Sequence, residues 1–284
     1  MSPAPWLSRV LRAGTHVLAA AVALFLLAPF VLSVLVSFQP GRSIELPTPA
    51  SGYSLGWYSF VLADPLYREA LLTSLLVGGL VAVVSVALAL PLAATAGSPR
   101  WLRPLTVAVL LPTVVPPVVL GMQSLVASEL VGLRDSIAAV VAVHTLYGLP
   151  LAFLVLRAAY QRLDPGLRDA ARSLGAGPVR SAYEVTLPLL APALVVAGLL
   201  AFVASLNELI MVLFVGGQVR TLPTVLWPQV QNTVQPDVAA ASGLLLLTTL
   251  TASVAAYLLW RRSSRSAQAH RRVNSDTVVP SPSR

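Results

Sequence analysis

Six long apolar runs, separated by polar segments, dominate the chain. Each reaches the roughly 20 residues that a helix needs to cross a hydrocarbon layer of about 30 Å. Helices are expected because backbone polar groups in lipid must be satisfied within their own segment, and the runs are solidly apolar rather than alternating. The pattern predicts an all-α membrane protein with six transmembrane helices. The runs cover residues 16–38, 70–99, 104–128, 136–156, 185–207 with 209–219, and 238–260.

These runs define a transmembrane domain, residues 16–260, between a short N-terminal segment, residues 1–15, and a polar tail, residues 261–284. The first run follows two Arg residues, as in a signal peptide. It is longer than the roughly 7–15 apolar residues of a signal sequence, and no small-residue cleavage site follows it, so we expect a retained helix. The tail is rich in Arg, Ser and Pro, so we expect it to be disordered. Prolines inside the runs predict bent helices.

Composition also indicates that lipid surrounds the chain. Hydrophobic residues make up 56% of its 284 residues and charged residues 11%, whereas a soluble domain carries roughly 25% charged residues. Cysteine and lysine are both absent. Without lysine the chain cannot form a P-loop nucleotide site or a Schiff base, and without cysteine it has no thiolate chemistry. We expect neither a catalytic site nor a metal or cofactor site.

The distribution of Arg predicts the orientation of the chain. If the N-terminus is cytoplasmic and the chain crosses six times, 15 of the 19 Arg residues lie in cytoplasmic segments. The four outside are Arg42, Arg68, Arg134 and Arg220. Because Arg collects on the cytoplasmic side of membrane proteins, we expect both termini in the cytoplasm. This bias also explains the net charge of +8, so no nucleic-acid partner is expected.

The cytoplasmic loop of residues 157–187 is long for a connector and carries helix signals of its own. Asp164 and Pro165 are typical of an N-cap and a first helical residue, and Gly175 stands where a C-cap glycine belongs. A second short helix is expected over residues 179–187, which makes the loop a helical hairpin. Such a hairpin either lies in the membrane interface or enters the groove of a soluble partner. The apolar face of its first helix comprises Leu163, Leu167, Ala170, Ala171 and Leu174, opposite Arg168, Asp169 and Arg172.

The sequence of this loop resembles the EAA loop of binding-protein-dependent ABC importer permeases. Residues 167–175 read Leu-Arg-Asp-Ala-Ala-Arg-Ser-Leu-Gly, and Val-Thr-Leu-Pro follows at residues 185–188. The family pattern is an acid and two alanines, then a glycine, then a hydrophobic residue shortly before Leu-Pro. Asp169 stands where the family usually has Glu. The matching positions are Asp169, Ala170, Ala171, Gly175, Leu187 and Pro188.

The resemblance implies that the hairpin couples the pore to a separate cytoplasmic ATP-binding subunit. It also implies a second permease subunit, identical or homologous, and an external substrate-binding protein at the cell inner membrane. Arg172 and Arg180 either pair with acids of the ATPase or are ordinary cytoplasmic charges. The implied coupling residues are Asp169, Ala170, Ala171, Arg172, Gly175, Leu187 and Pro188.

Glu208, which follows Asn207, is an acid inside the fifth apolar run. An intramembrane acid is costly, so it either faces a cavity on a substrate path, makes a structural hydrogen bond to a neighbouring helix, or lies high enough to be near water. Residues 201–209 and the Thr-Leu-Pro of residues 221–223 resemble the corresponding region of spermidine/putrescine-type permeases. Leu206 and Asn207 replace an aromatic residue and an acid of that pattern. The resemblance implies a substrate path at Asn207 and Glu208 and a solute such as a polyamine, a related organic cation or an amino-acid-like compound. An ABC permease for a different class of solute remains an alternative.

Two other classes of protein remain as alternatives. A secondary transporter driven by an ion gradient would carry an inverted repeat and several intramembrane charges. The apolar runs contain one acid and no clear repeat. An intramembrane enzyme would need paired catalytic groups, and neither His16 nor His144 has an acid or metal-ligand companion by sequence.

Overall fold

The computed structural model describes residues 5–95, 103–232 and 235–276, which form helices and turns without a β-strand. The all-α prediction is therefore confirmed. The helices are α1 Pro5–Val36, α2 Gly56–Ala63, α3 Pro65–Ala94, α4 Arg103–Leu110, α5 Pro117–Leu130, α6 Ile137–Gln161, α7 Pro165–Ser173, α8 Pro178–Ser181, α9 Leu187–Leu206, α10 Ile210–Val215, α11 Leu222–Asn232 and α12 Pro236–Asp276. A 3₁₀ turn covers Leu111–Thr113 and a π turn covers Ala182–Thr186.

Five helical segments in the described part of the chain are long and apolar enough to cross a membrane. A sixth candidate is a pair, Pro104–Thr113 and Pro117–Leu130, that is bent by 109°. These candidates match the six predicted apolar runs in position. The five unbroken segments are Ala13–Val36, Pro65–Ala94, Ile137–Gln161, Pro178–Leu206 and Pro236–Leu258.

The third apolar run is not the single helix that its length predicts. Pro116 has an extended conformation, with φ −56° and ψ 137°, and the chain turns sharply there. A residue that precedes proline is driven out of the helical region, so Pro117 forces this conformation on Pro116. Pro117 itself then occupies the first turn of α5, where its missing N–H is not needed.

Helix α12 continues beyond the membrane span as far as Asp276. Residues 261–276 are therefore helical, in contrast to the disordered tail that their composition predicts. No glycine or proline stands between Gly243 and Pro280 to end the helix, and Arg, Ala and Gln are good helix formers. The last part of the predicted tail, residues 277–284, lies outside the described residues, as do residues 1–4 of the N-terminal segment.

The chain forms two compact units, of which the first comprises Met1–Arg68 and Leu226–Leu246. A buried polar cluster connects its segments. The Tyr67 hydroxyl lies 2.6 Å from Asp237 Oδ2 and 2.5 Å from Gln229 Oε1. Because Asp237 is buried, the hydrogen bond from Tyr67 offsets part of the cost of removing its carboxylate from water.

The second unit comprises Glu69–Val225 and Leu247–Arg284. Its core forms where α3, α6 and α9 pack through small residues. A Cβ added at Gly148 would lie 3.0 Å from Ser85 Oγ and 3.2 Å from Ala201 Cβ, so only glycine permits this approach of the backbones. One buried cluster of this core contains Ala89, Ala93, Ala152, Phe153, Leu156 and Ala197.

Candidate functional site

The predicted start of the hairpin is confirmed. Asp164 adopts an extended conformation, and its carboxylate accepts a hydrogen bond of 2.8 Å from the Gly166 amide. Pro165 takes the first helical position, where its fixed φ favours the helix. Helix α7 therefore has a defined first turn although it is only nine residues long.

The end of α7 is equally well defined. Gly175 has a φ of +84°, a left-handed conformation that favours glycine. The Gly175 amide donates to the Arg172 carbonyl at 2.9 Å, and the Ala176 amide donates to the Ala171 carbonyl at 3.0 Å. This pair of hydrogen bonds is a Schellman motif, which satisfies carbonyls that the end of the helix leaves open. The role predicted for Gly175 as a C-cap glycine is thus confirmed.

The second half of the hairpin differs from the prediction. We expected a separate short helix over residues 179–187, but the helical path from Pro178 runs without interruption to Leu206. A π turn, Ala182–Thr186, lies within this path. Pro188 has no N–H to donate to the carbonyl four residues earlier, and a π turn accommodates that loss by pairing residues five apart. The second half of the hairpin and the fifth apolar run as far as Leu206 are therefore one continuous helix.

Apolar side chains of the hairpin remain exposed. Leu174 is 88% exposed, and Leu167, Val179 and Tyr183 are exposed as well. We call these four residues the hairpin apolar surface. Among the other positions on the predicted apolar face, Leu163 and Ala171 are half-buried and Ala170 is exposed.

The charged residues of the hairpin pair with one another. Arg180 Nε lies 2.9 Å from Glu184 Oε1, and Arg172 Nη1 lies 3.8 Å from Asp169 Oδ1. All four side chains are mostly exposed, and such pairs contribute little to stability because solvent screens them. Their charges therefore remain accessible to a partner.

The last two predicted coupling residues, Leu187 and Pro188, begin α9. Leu187 is half-buried, whereas Pro188 is exposed in the first turn of the helix. The seven predicted coupling residues thus divide between α7 with its C-cap and the start of the fifth span.

Glu208 lies at a break in the fifth span, not inside a helix as the apolar run predicts. Helix α9 ends at Leu206 and α10 begins at Ile210. The Glu208 carboxylate is 8% exposed and accepts a hydrogen bond of 2.9 Å from the Met211 amide. It therefore caps the start of α10, a local role that was not among the alternatives predicted from the sequence.

Asn207 differs from its neighbour because its side chain is exposed. Its Nδ2 donates to the Val203 carbonyl at 2.9 Å. Polar side chains that bond to nearby backbone groups compete with the helix, which explains a break here without proline or glycine. The structure thus places Asn207 and Glu208 at one break but in different environments.

Sequence reasoning missed a partner of His144. Its Nδ1 lies 2.7 Å from the Ser205 hydroxyl, and the imidazole is 1% exposed. This hydrogen bond ties α6 to the last turn of α9, directly before the break at residues 207–209. The two residues lie 61 positions apart, so no local pattern signals the contact. In the described ranges no three His, Cys, Asp or Glu side chains gather into a metal site.

Comparison with known proteins identifies a family. Residues 85–264 match the model described as binding-protein-dependent transport system inner membrane component. The putrescine transport system permease protein PotI of Escherichia coli K12 is 29% identical over 234 residues, which cover 78% of this chain and 82% of that protein. The molybdenum transport system permease protein ModB of Mycobacterium tuberculosis is 34% identical over 227 residues, which cover 72% of this chain and 84% of that protein.

Two solved structures share the fold. One is a chain of a bacterial ABC transporter that imports alginate, with a TM-score of 0.64, 17% identity, and coverage of 92% of this chain and 99% of that chain. The other is a chain of the bacterial alginate transporter in complex with a periplasmic protein bound to an alginate pentasaccharide. Its TM-score is 0.68 at 14% identity, with coverage of 90% of this chain and 96% of that chain.

The C-cap of α7 provides a test with a matched control. Gly175→Ala should weaken the last turn by about 1–2 kcal/mol, because a Cβ is unfavourable in the left-handed region. Gly177→Ala should leave the last turn of α7 unchanged, because Gly177 has a φ of −64° and an added Cβ would meet nothing within 4 Å. Hydrogen exchange of the Ala176 amide should become roughly fivefold faster, or more, only in the first variant. Equal exchange in both variants would contradict the assigned cap.

Proposed function

Because the chain belongs to the family of binding-protein-dependent transport system inner membrane components, we propose that its hairpin transmits the movement of a separate ATPase subunit to the membrane spans. The protein is a multi-pass permease of an ABC importer in the inner membrane and does not itself hydrolyse ATP. The secondary transporter and the intramembrane enzyme are set aside by this membership.

The exposure of the hairpin apolar surface carries the proposal. A soluble partner covers such a surface in the assembled complex, because exposed apolar clusters on a structured segment are typical of binding sites. Leu174 is the most exposed of the four residues and directly precedes the C-cap glycine. A short capped helix with an apolar tip suits insertion into a groove of a partner. Five of the seven predicted coupling residues lie on α7 or at its C-cap.

The helical continuity of the second half of the hairpin supports transmission. A push on α7 reaches the fifth span through a helix that runs from Pro178 to Leu206. That helix ends at the break that contains Asn207 and Glu208. A displacement of the hairpin therefore moves the break, where the substrate path is proposed. No flexible linker separates the two sites along this helix.

The proposal also includes the orientation of the chain in the membrane and the partner proteins of the permease. The Arg distribution supports a cytoplasmic position for the hairpin and for both termini. The family description names a binding protein, and one structure of similar fold is a transporter in complex with its periplasmic protein. We assign this permease an external binding protein, a cytoplasmic ATPase subunit and a second permease subunit.

The solute is proposed to be a small organic cation such as a polyamine. The relatives transport different solutes, since one is named for putrescine and another for molybdenum. Support for a cation comes from Glu208, whose carboxylate lies at the break of the fifth span. The Met211 amide donates a hydrogen bond to this carboxylate. The negative charge of the carboxylate would still attract a cation in the path. The exposed amide of Asn207 is the neighbouring polar group.

A charge on the hairpin apolar surface should uncouple the protein. Leu174→Glu should lower retention of the ATPase subunit about tenfold or more, because it places a carboxylate in an apolar contact. Leu130→Glu is the matched control, since Leu130 is 82% exposed on α5, far along the chain from the hairpin. Co-purification and ATP-driven uptake in reconstituted vesicles measure the effect. Normal uptake by Leu174→Glu would refute the coupling role.

The charge of Glu208 can be tested separately from its capping role. Glu208→Gln keeps an oxygen that accepts from the Met211 amide but removes the charge. If the charge serves the path, the affinity for a cationic solute should fall about tenfold, which corresponds to about 1.4 kcal/mol, while folding is retained. Glu45→Gln, at an exposed loop position, makes the same chemical change as a control. Uptake of a polyamine with unchanged affinity in Glu208→Gln would remove Glu208 from the path.

A further inference from the structure

A cavity of about 320 Å³ lies between the hairpin and the ends of two membrane spans. Leu90 and Pro91 from the end of α3 line one side, and Tyr160 from the end of α6 lines another. Arg172 of α7 and the π turn, Ala182–Thr186, belong to the hairpin side. No proposed role of the hairpin or of the break uses this space.

One charged side chain is found among the described residues that line the cavity. Among the described residues that line it, Arg172 is the only cation and no acid is present. The one acid paired with Arg172 is Asp169, at 3.8 Å and outside the cavity lining. An exposed pair at that distance neutralises the guanidinium only weakly. A ligand in this cavity should therefore carry a negative charge.

Hydroxyl groups define the kind of anion. Ser181, which is buried, and Thr186, which is half-buried, line the cavity together with Arg172. A guanidinium offers several donors in a planar fork that matches phosphate oxygens, and hydroxyls add further donors. This set of side chains suits a phosphate group.

The walls and the position of the cavity indicate the rest of the ligand. Leu90, Pro91 and Leu187 make much of its lining apolar. The cavity lies at the ends of the spans Pro65–Ala94 and Ile137–Gln161, where hydrocarbon gives way to lipid headgroups. A ligand that combines a phosphate with an apolar body at this depth is a phospholipid. The described part of the lining offers no acid to hold the cation of a zwitterionic headgroup, so the cavity favours an anionic lipid.

We propose that this cavity binds an anionic phospholipid, with its phosphate on Arg172 and the two hydroxyls and its acyl glycerol part against the apolar wall. The π turn forms part of the wall, so a bound lipid contacts the hairpin and two spans at once. Binding therefore supports the position of the hairpin against the membrane. This assignment concerns the permease alone and holds whether or not an ATPase docks on the hairpin.

The test measures lipid binding to the purified full chain in detergent by native mass spectrometry. Phosphatidylglycerol and phosphatidylcholine are titrated separately onto the wild type, Arg172→Gln and Arg180→Gln. The two Arg side chains are 66% and 68% exposed, lie on the same hairpin and each pair with an acid, but only Arg172 lines the cavity. We expect the affinity for phosphatidylglycerol to fall at least tenfold in Arg172→Gln and to stay within twofold in Arg180→Gln.

Two further measurements distinguish lipid binding in the cavity from lipid binding to surface charge in general. Ala94→Leu fills the cavity without altering any charge and should also weaken phosphatidylglycerol binding. Inorganic phosphate, titrated calorimetrically, should neither bind measurably nor displace the lipid. The proposal is overturned if both Arg variants lose phosphatidylglycerol equally, or if neither variant loses it. It is also overturned if phosphatidylcholine binds the wild type as tightly as phosphatidylglycerol does. Normal phosphatidylglycerol binding by Ala94→Leu, or competition by inorganic phosphate, would overturn it as well.

Discussion

The continuous helical path from Pro178 to Leu206 is the constraint on which the rest of this structure depends. It makes the second half of the hairpin and the fifth span a single helix, although Pro188 removes one donor near their junction. The π turn, Ala182–Thr186, accommodates that loss within the helical path. The Schellman motif at Gly175 adds a tight turn between this helix and α7. In the proposed coupling, a force on α7 acts on the span through this turn and this helix.

The far end of this helix is determined by a different requirement. A helix that stops within the membrane leaves backbone groups open, and each unsatisfied group in lipid costs several kcal/mol. The Glu208 carboxylate accepts a hydrogen bond from the Met211 amide at the start of α10. His144 forms a hydrogen bond with Ser205 in the turn that precedes the break. The break at residues 207–209 is consequently an ordered feature with polar partners. An ordered break at the end of a continuous helix is well suited to respond to displacement of the hairpin.

Local rules explain why part of this arrangement follows from the sequence. The length of the apolar runs indicates the spans, and the caps at Asp164 and Gly175 depend only on neighbouring residues. Other features depend on tertiary contacts or on competition between conformations. Pro116 and Pro117 signal a bend but not its angle, and a polar residue in an apolar run does not reveal whether the helix ends there. The contact of His144 with Ser205 requires the packing of α6 on α9, which no periodicity encodes. The exposure of the predicted apolar face of α7 is visible only once the rest of the chain is in place.

The central claim, that the hairpin is the docking element for a cytoplasmic ATPase, can be tested by site-specific cross-linking. The chain contains no cysteine, so Leu174→Cys introduces a unique thiol at its most exposed hairpin residue. In inside-out membrane vesicles that contain the complete importer, this thiol should cross-link to the ATPase subunit, with a yield that changes between nucleotide-free and ATP-bound states. It should also react with an impermeant maleimide from the cytoplasmic side only. Labelling from the external side, or cross-linking that never includes the ATPase subunit, would contradict the account.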